Sequence, residues 1–185
     1  IAPSSNKYAV SMEQTPARHY SRPSVKDSLQ SIALFEPLSE EDIDLIAANS
    51  YEQTFHPGDT IMREGAEESS LLIIASGVVQ VSRKGQRGKE VDVERLGAGD
   101  FIGEMALLTG RPRSATVRAL VAMSGIIVPH EAIEPILKKN PQLSEKIAEI
   151  MVERKMRDPQ FSRRVQDSPT PTSRLLRLYM NRIGT

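Results

Sequence analysis

The sequence contains no cysteine and no tryptophan among its 185 residues, and only 4% of them are aromatic. Without cysteine the chain forms neither a disulfide nor a thiolate metal site, which is compatible with the cytosol. The longest apolar runs, at 71–75 and 124–128, have the length of strands and fall far short of the ~20 residues that span a membrane. We find no signal-peptide pattern, and because the chain begins with Ile1 we expect a piece of a larger protein.

The charges balance overall but are distributed unevenly. Lysine and arginine number 24, and aspartate and glutamate also number 24. Residues 154–185 carry eight lysines and arginines against Asp158 and Asp167. Such a basic tail is compatible with nucleic acid or anionic lipid, but a solvated helix end and linker explains it more simply. We therefore expect no direct nucleic-acid partner.

Residues 28–49 have the pattern of two short helices. Apolar residues recur at helical spacing between 29 and 35, which predicts one helix that ends before Pro37. Ser39 with Asp42 three residues later is a capping-box pattern that begins a second helix. The segment before residue 28 contains three prolines and scattered serines, which predicts a linker.

From residue 51 the pattern changes to short strands separated by turns. Seven runs have strand composition: 51–55, 60–62, 71–76, 78–82, 91–96, 116–120 and 123–129. Short strands at this spacing are typical of a β-barrel or a jelly-roll-like sandwich. The glycine-rich tip at 84–89 lacks the P-loop pattern, so we interpret it as a solvated turn.

Two more helices are predicted after Pro129. The first covers 130–139 and ends at Asn140, and Pro141 opens the second at a position that proline favours. One stripe of the second helix carries Leu143, Ile147, Ile150, Met151 and Arg154. This stripe fits a core, a dimer seam or a cover over a binding site.

The most informative stretch runs from residue 101 to residue 117. Gly103 lacks a side chain, so its backbone can approach a ligand closely, and the N–H groups of residues 104–106 would begin a helix without intrahelical partners. Arg113 adds a cation with a planar donor fork, and Ser114 adds a hydroxyl. Glu104 would repel an anion but suits a neutral sugar hydroxyl. These groups together predict a phosphorylated nucleoside of low charge.

This stretch resembles the phosphate-binding cassette of the cyclic-nucleotide-binding domains. The family pattern is F-G-E-(aliphatic)-(A/G)-L followed by P-R-x-(A/T)-(A/T), and Ile102 is a variant also common in the family. Nine residues match the pattern with the correct gap: Gly103, Glu104, Met105, Ala106, Leu107, Pro112, Arg113, Ala115 and Thr116. The turn spacing from Gly58 to Gly77 follows the family too, so the resemblance extends over residues 28–157.

The resemblance implies a mainly β fold with flanking helices: an eight-stranded jelly-roll-like β-barrel (a β-roll) with N-terminal helices, a cassette helix and two C-terminal helices. It implies a linker or tail at 1–27, a cyclic-nucleotide-binding domain at 28–158 and a basic tail at 159–185. The implied ligand-binding residues are Gly103, Glu104, Met105, Ala106, Arg113, Ser114, Ala115 and Val117. The candidate lid residues are Ile147, Ile150, Met151 and Arg154, because the last helix of the family closes over the base.

The implied ligand is a 3′,5′-cyclic nucleotide, which is bound as a ligand and not as a cofactor. By resemblance, Arg113 holds the phosphate and Glu104 holds the ribose 2′-hydroxyl. Threonine at the position of Ser114 tends to accompany cGMP preference in the family, whereas serine or alanine is usual in cAMP binders. We therefore expect cAMP, with cGMP as the alternative.

Signals for catalysis or a metal are weak. The three histidines, His19, His56 and His130, are far apart in the sequence, and His56 precedes a Pro-Gly turn. Neither a nucleophile elbow nor a pair of catalytic carboxylates can be identified. We therefore predict a sensor that is not an enzyme, with no catalytic residue, no metal and no cofactor.

The resemblance leaves several outputs open. We favour a cytoplasmic domain that regulates an ion channel in the cell membrane, because the cassette most resembles those of bacterial channels. A catabolite-activator-type transcription factor would need a helix-turn-helix domain after the last helix, and a kinase regulatory subunit usually has two such domains. A degenerate barrel that only mediates interactions is disfavoured by the intact Glu104 and Arg113. The expected partners are the nucleotide, the rest of a larger effector chain and, in a homo-oligomer, further copies.

Overall fold

The computed structural model describes residues 23–156. It begins with α1 Val25–Gln30, a 3-10 helix Ala33–Phe35 and α2 Glu40–Ala48. The strands are β1 Tyr51–Phe55, β2 Thr60–Met62, β3 Leu71–Ser76, β4 Val78–Lys84, β5 Glu90–Gly97, β6 Phe101–Ile102, β7 Thr116–Ala119 and β8 Met123–Val128. A 3-10 helix, Gln86–Gly88, joins β4 to β5, and α3 Glu104–Thr109 joins β6 to β7. Two helices follow, α4 His130–Lys139 and α5 Pro141–Met156. The predicted tail at 159–185 and residues 1–22 of the predicted linker lie outside the described residues.

The eight strands form two antiparallel four-stranded sheets, in the orders β1-β8-β3-β6 and β2-β7-β4-β5. Apolar side chains from both sheets form one core between them: Phe55, Met62, Leu72, Ile74, Val79, Val81, Leu96, Ile102, Val117, Ala119, Met123 and Ile127. We call this the roll core. The predicted mainly β, eight-stranded jelly-roll-like fold with flanking helices is therefore confirmed.

Strand β3 is buried on both faces. Leu72 and Ile74 belong to the roll core, whereas Leu71 and Ile73 pack into a second core that the helices share with the outer face of the first sheet. We call this second cluster the helix core. Because side chains alternate across a strand, four consecutive apolar residues are what a strand between two cores requires. A Cβ atom at Gly125 of the neighbouring β8 would lie 2.5 Å from Leu72 Cδ1, so glycine lets the two strands pack closely.

The prediction of one helix over residues 28–35 is wrong, because α1 begins earlier and a separate 3-10 helix follows it. Ser24 caps α1: its hydroxyl accepts from the Asp27 N–H at 3.1 Å, and the Asp27 carboxylate accepts from the Ser24 N–H at 2.9 Å. At the other end the Ser31 hydroxyl donates to the Ser28 carbonyl at 2.7 Å. Serine side chains compete with helical backbone bonds in this way. Half of the predicted second capping box is present: the Asp42 N–H donates to the Ser39 hydroxyl at 3.2 Å, whereas the Asp42 carboxylate accepts from Lys139 and Asn140.

Strand β6 was not among the seven predicted runs. It pairs with β3 through only two residues, Ile102 with Leu72 and Phe101 with Ile73. A two-residue strand is too short to show a period in the sequence. Its pairing nevertheless matters for function, because it presents the next residue, Gly103, beside the beginning of β3.

The N-terminal helices are attached to the C-terminal helices by polar contacts as well as by the helix core. Asp42 of α2 is buried and accepts from Lys139 Nζ at 2.9 Å and from Asn140 Nδ2 at 3.3 Å. Lys146 of α5 donates to the Ala33 carbonyl and lies 3.8 Å from the Glu36 carboxylate. Both ends of the described chain therefore meet in one helical layer.

Candidate functional site

The loop between β6 and α3 closes tightly around a glycine. Gly103 has φ of 101° and stands at the N-cap of α3, in the left-handed region that favours glycine. A Cβ atom at this position would lie 2.5 Å from Arg113 Nη1 and 2.5 Å from the Ser70 carbonyl oxygen. Any other residue would displace both neighbours, so the site depends on the missing side chain.

Arg113 is buried beneath this loop with only 4% of its surface exposed. Its Nη1 donates to the Gly103 carbonyl at 3.3 Å, and its Nη2 donates to the Ser70 hydroxyl at 3.0 Å. Its Nε–H is buried without a hydrogen-bond partner among the described residues. Burial lowers the pKa of Arg113, and the charges of Glu68 and Glu104 oppose that shift. The guanidinium is thus a buried cation whose contacts are neutral.

Glu104, the first residue of α3, is also buried. Its Oε1 lies 3.5 Å from Nη1 of Arg154 on α5. Arg154 also donates to the Phe101 carbonyl at 2.6 Å, and its guanidinium carbon lies 4.8 Å from the centroid of the Phe101 ring. The C-terminal end of α5 is therefore bound directly to the cassette.

A cavity of about 270 Å³ opens between the cassette, the second sheet and α5. The structure brings all eight predicted ligand-binding residues to its wall: Gly103, Glu104, Met105, Ala106, Arg113, Ser114, Ala115 and Val117. Two of the four candidate lid residues, Met151 and Arg154, also line it. The other two do not: Ile147 is part of the helix core, and Ile150 packs against that core.

Sequence reasoning missed six further residues of the wall: Met62, Val81, Arg83, Val93, Glu94 and Ile102. All six lie in strands, and except for Ile102, which directly precedes Gly103, they reach the cassette through the fold and not through a motif. The register that pairs Val81 of β4 with Val117 of β7 shows how this happens. Only a prediction of strand pairing would have found the five residues other than Ile102.

The described residues 23–156 contain no group of three or more histidine, cysteine, aspartate or glutamate side chains arranged to hold a metal ion. Within this part of the chain no helix has the length and apolar character needed to cross a membrane.

His56 is a turn residue as predicted, since its N–H donates to Asp59 Oδ2 at 2.8 Å.

Comparison with known proteins identifies this arrangement. Residues 52–140 match the family model of the cyclic nucleotide-binding domain. The match contains the strands of the roll from β2 to β8, the cassette and Arg113. This part of the chain belongs to the cyclic nucleotide-binding domain family, whose domains are regulatory and not catalytic.

Two curated relatives and one solved structure show how such a domain is used elsewhere. The cAMP-dependent protein kinase regulatory subunit of Debaryomyces hansenii is 37% identical over 95 residues, which is 51% of this chain and 20% of that protein. The cAMP-activated global transcriptional regulator CRP of Salmonella typhimurium is 27% identical over 124 residues, covering 66% of this chain and 59% of the relative. The regulatory domain of Toxoplasma gondii PKA, solved with cAMP, superimposes with a TM-score of 0.61 at 26% identity, covering 70% of this chain and 49% of that one.

The chain therefore spans only part of the length of the curated relatives that it matches. These relatives are a kinase regulatory subunit and a transcriptional regulator. Neither is an ion channel, so the predicted channel and its membrane location receive no support from them.

Proposed function

We propose that this chain is a sensor that binds a 3′,5′-cyclic nucleotide, cAMP in preference to cGMP, in the cavity between the cassette and α5. Arg113 carries the proposal. Within the described residues, the hydrogen bonds of this buried cation go to a carbonyl and a hydroxyl, and a buried charge is energetically costly without a counter-ion. A singly charged phosphate diester in the cavity would supply that charge and accept from the donors that remain.

Glu104 supports the sugar assignment. It is a buried carboxylate on the same cavity wall as Arg113, and a carboxylate accepts hydrogen bonds but cannot donate them. A second anionic group of the ligand would be repelled there, whereas a ribose 2′-hydroxyl would donate to it. The pair thus suits a ligand with one negative charge beside one hydroxyl. Ser114, on the same wall, favours cAMP through the resemblance described above.

We propose that α5 transmits the occupancy of the site. Met151 and Arg154 line the cavity, and Lys146 of the same helix contacts Ala33 and Glu36 near the N-terminus of the fold. A ligand that contacts Met151, or that replaces Arg154 at the Glu104 carboxylate, would bias the position of this helix. The ligand can shift the equilibrium between two positions of α5 only by the difference between its binding free energies for them.

The effector that responds is part of the proposal. The names of the relatives favour a kinase regulatory subunit or a catabolite-activator-type regulator over the channel expected from the cassette. In each case the domain would report the cyclic nucleotide concentration to a partner on the same or an associated chain.

Calorimetric titration with cAMP and cGMP tests the proposed function directly. Wild-type protein should bind both nucleotides, cAMP more tightly. Arg113→Ala should weaken cAMP binding by about 2–5 kcal/mol, because a buried charge pair would lose one partner. Arg111→Ala is the matched control. Arg111 carries the same charge two residues before Arg113 but is exposed, so this variant should bind like wild type. Wild-type protein that binds neither nucleotide would refute the proposal.

A further inference from the structure

We propose that Ser70 is a positioning residue for ligand binding: its hydroxyl orients the guanidinium of Arg113 toward the phosphate without neutralising it. This inference rests on the proposed function and adds to it a residue that no cassette motif contains. Its starting point is the hydrogen bond of 3.0 Å from Arg113 Nη2 to the Ser70 hydroxyl, which joins residues 43 positions apart.

The fold holds Ser70 in place from its C-terminal side. The next residue, Leu71, begins β3 and is fully buried in the helix core. Since Leu72 pairs with Ile102 across β3 and β6, the residue before Leu71 is brought close to the cassette glycine. Accordingly, the Ser70 carbonyl oxygen lies 2.5 Å from the position of a Cβ atom at Gly103. Ser70 is therefore the last residue of the loop between β2 and β3, and the central strand that follows it fixes its position.

The main chain of Arg113 is bound to the same segment. Its N–H donates to the Ala66 carbonyl at 2.8 Å, and its own carbonyl accepts from the Gly65 N–H at 2.8 Å. Residues 65–70 thus contact Arg113 at both ends: the backbone through Gly65 and Ala66, and the guanidinium through Ser70. An arginine whose backbone and guanidinium are both held in place loses less conformational entropy when it binds an anion.

The neutral character of serine matters for the proposal. A guanidinium has five N–H donors, and two of its nitrogens donate to Gly103 and Ser70. A carboxylate in place of the hydroxyl would pair with the cation and compete with a ligand phosphate. Burial lowers the pKa of Arg113 and the charge of Glu68 opposes that shift, yet no ion pair forms between Glu68 and Arg113 among the described residues. The Ser70 hydroxyl orients the Arg113 side chain, and the positive charge of the guanidinium stays available to a ligand.

Titration of cAMP into Ser70→Ala, Ser70→Thr and Ser69→Ala proteins tests this role. Ser70→Ala should bind cAMP about tenfold more weakly, the effect expected for one hydrogen bond to a charged group. Ser70→Thr keeps the hydroxyl and should stay within about threefold of wild type. Ser69→Ala is the matched control, because the neighbouring serine makes no side-chain hydrogen bond among the described residues, and it should bind like wild type.

A double-mutant cycle separates positioning from a general structural effect. In an Arg113→Lys background, which keeps the charge but loses the donor fork, Ser70→Ala should weaken cAMP binding by less than about twofold. A loss of equal size in both backgrounds would mean that Ser70 acts through the fold, and would overturn the inference. So would a Ser70→Ala protein that binds like wild type, and either result would leave the proposed function intact. Wild-type protein without cAMP affinity would overturn both.

Discussion

Two residues of opposite charge face one cavity here. The Glu104 carboxylate and the Arg113 guanidinium both line its wall, yet neither takes the other as its ion-pair partner: Glu104 lies near Arg154, and Arg113 contacts Ser70 and Gly103. Had they paired with each other, their charges would have cancelled inside the site. Kept apart, each charge remains available to a different part of the proposed ligand, Arg113 to the phosphate and Glu104 to the sugar.

The sugar assignment is testable with a ligand that lacks one atom. Wild-type protein should bind cAMP about tenfold more tightly than 2′-deoxy-cAMP, because the deoxy sugar leaves the buried Glu104 carboxylate without its donor. In Glu104→Ala this ratio should fall toward one, since neither sugar then has an acceptor to meet. Calorimetry or competition with a fluorescent analogue measures both affinities.

Glu67→Ala provides the control for that experiment, because it removes an exposed carboxylate of the neighbouring loop. It should leave the preference for the ribose unchanged. A wild-type protein that binds both sugars equally well would contradict the role of Glu104.

How far the site was predictable at this scale depends on sequence distance. Glu104 and Arg113 are nine positions apart within one motif, so their chemistry is visible in the linear sequence. Ser70 is a serine in a polar loop, 43 positions from the arginine that it contacts, and nothing local distinguishes it from Ser69. Residues whose role arises only through strand pairing leave no such signal.

Among the elements, α2 and α4 are joined through a buried carboxylate. Hydrogen bonding from Lys139 lowers the pKa of Asp42, although burial acts in the opposite direction, and the same contact raises the pKa of Lys139. Folding therefore favours the charged form of each partner. This contact fixes the N-terminal helices against the layer that also includes α5.

The sign of these shifts predicts a pH dependence. A lowered carboxyl pKa stabilises the fold above its ordinary value of 3.8, and this contribution is lost as the pH falls through the folded value. The contribution of Lys139 is present below its ordinary value of 10.5 and is lost as the pH rises through the folded value. Asp42→Asn should therefore lower the free energy of unfolding by about 1 kcal/mol near neutral pH. The difference in stability between this variant and wild type should become smaller below the folded-state pKa of Asp42 and above that of Lys139.

Urea unfolding across this pH range measures the gap. Asp44→Asn, which alters an exposed ion pair of the same helix with Lys26, is the control and should change stability very little. A gap between wild type and Asp42→Asn that persists undiminished in acid would show that the loss comes from packing and not from charge.

The elements were predictable where a cap, a turn or a clear period marks them. Ser39 and Pro141 open their helices as predicted, because capping and the first helical position depend on local chemistry. The break between α1 and the 3-10 helix escaped detection, since the apolar spacing over 29–35 continues across it. In the structure the Ser31 hydroxyl bonds to the Ser28 carbonyl at the end of α1, and Leu34 and Phe35 of the 3-10 helix are buried in the helix core.

For the molecule as a whole, the sharing of β3 predicts a single unfolding unit. Its side chains contribute to the roll core on one face and to the helix core on the other, so neither core survives the loss of the other. Ile133→Ala, at a fully buried position of α4, should lower stability by about 2–5 kcal/mol. Amide hydrogen exchange should show an equal loss of protection in β4, which lies in the opposite sheet.

Leu45→Ala is the control, because Leu45 is 51% exposed on α2 and its truncation should have little effect. Protection that falls in the helices but not in β4 would show instead that the two cores unfold separately.

The same strand raises a question of register. A slip by one residue exchanges the two faces of a strand, and along Leu71–Leu72–Ile73–Ile74 that exchange would replace branched aliphatic side chains with others of similar size. The hydrophobicity of these side chains therefore does not distinguish the correct register from the slipped one. Steric contact at Gly125 of β8 does distinguish the two registers. Gly125 leaves room for the Leu72 side chain and pairs with Ile74 of β3. One absent methyl group on a neighbouring strand thus aligns the middle of the sheet and, through β6, the cassette that begins at Gly103.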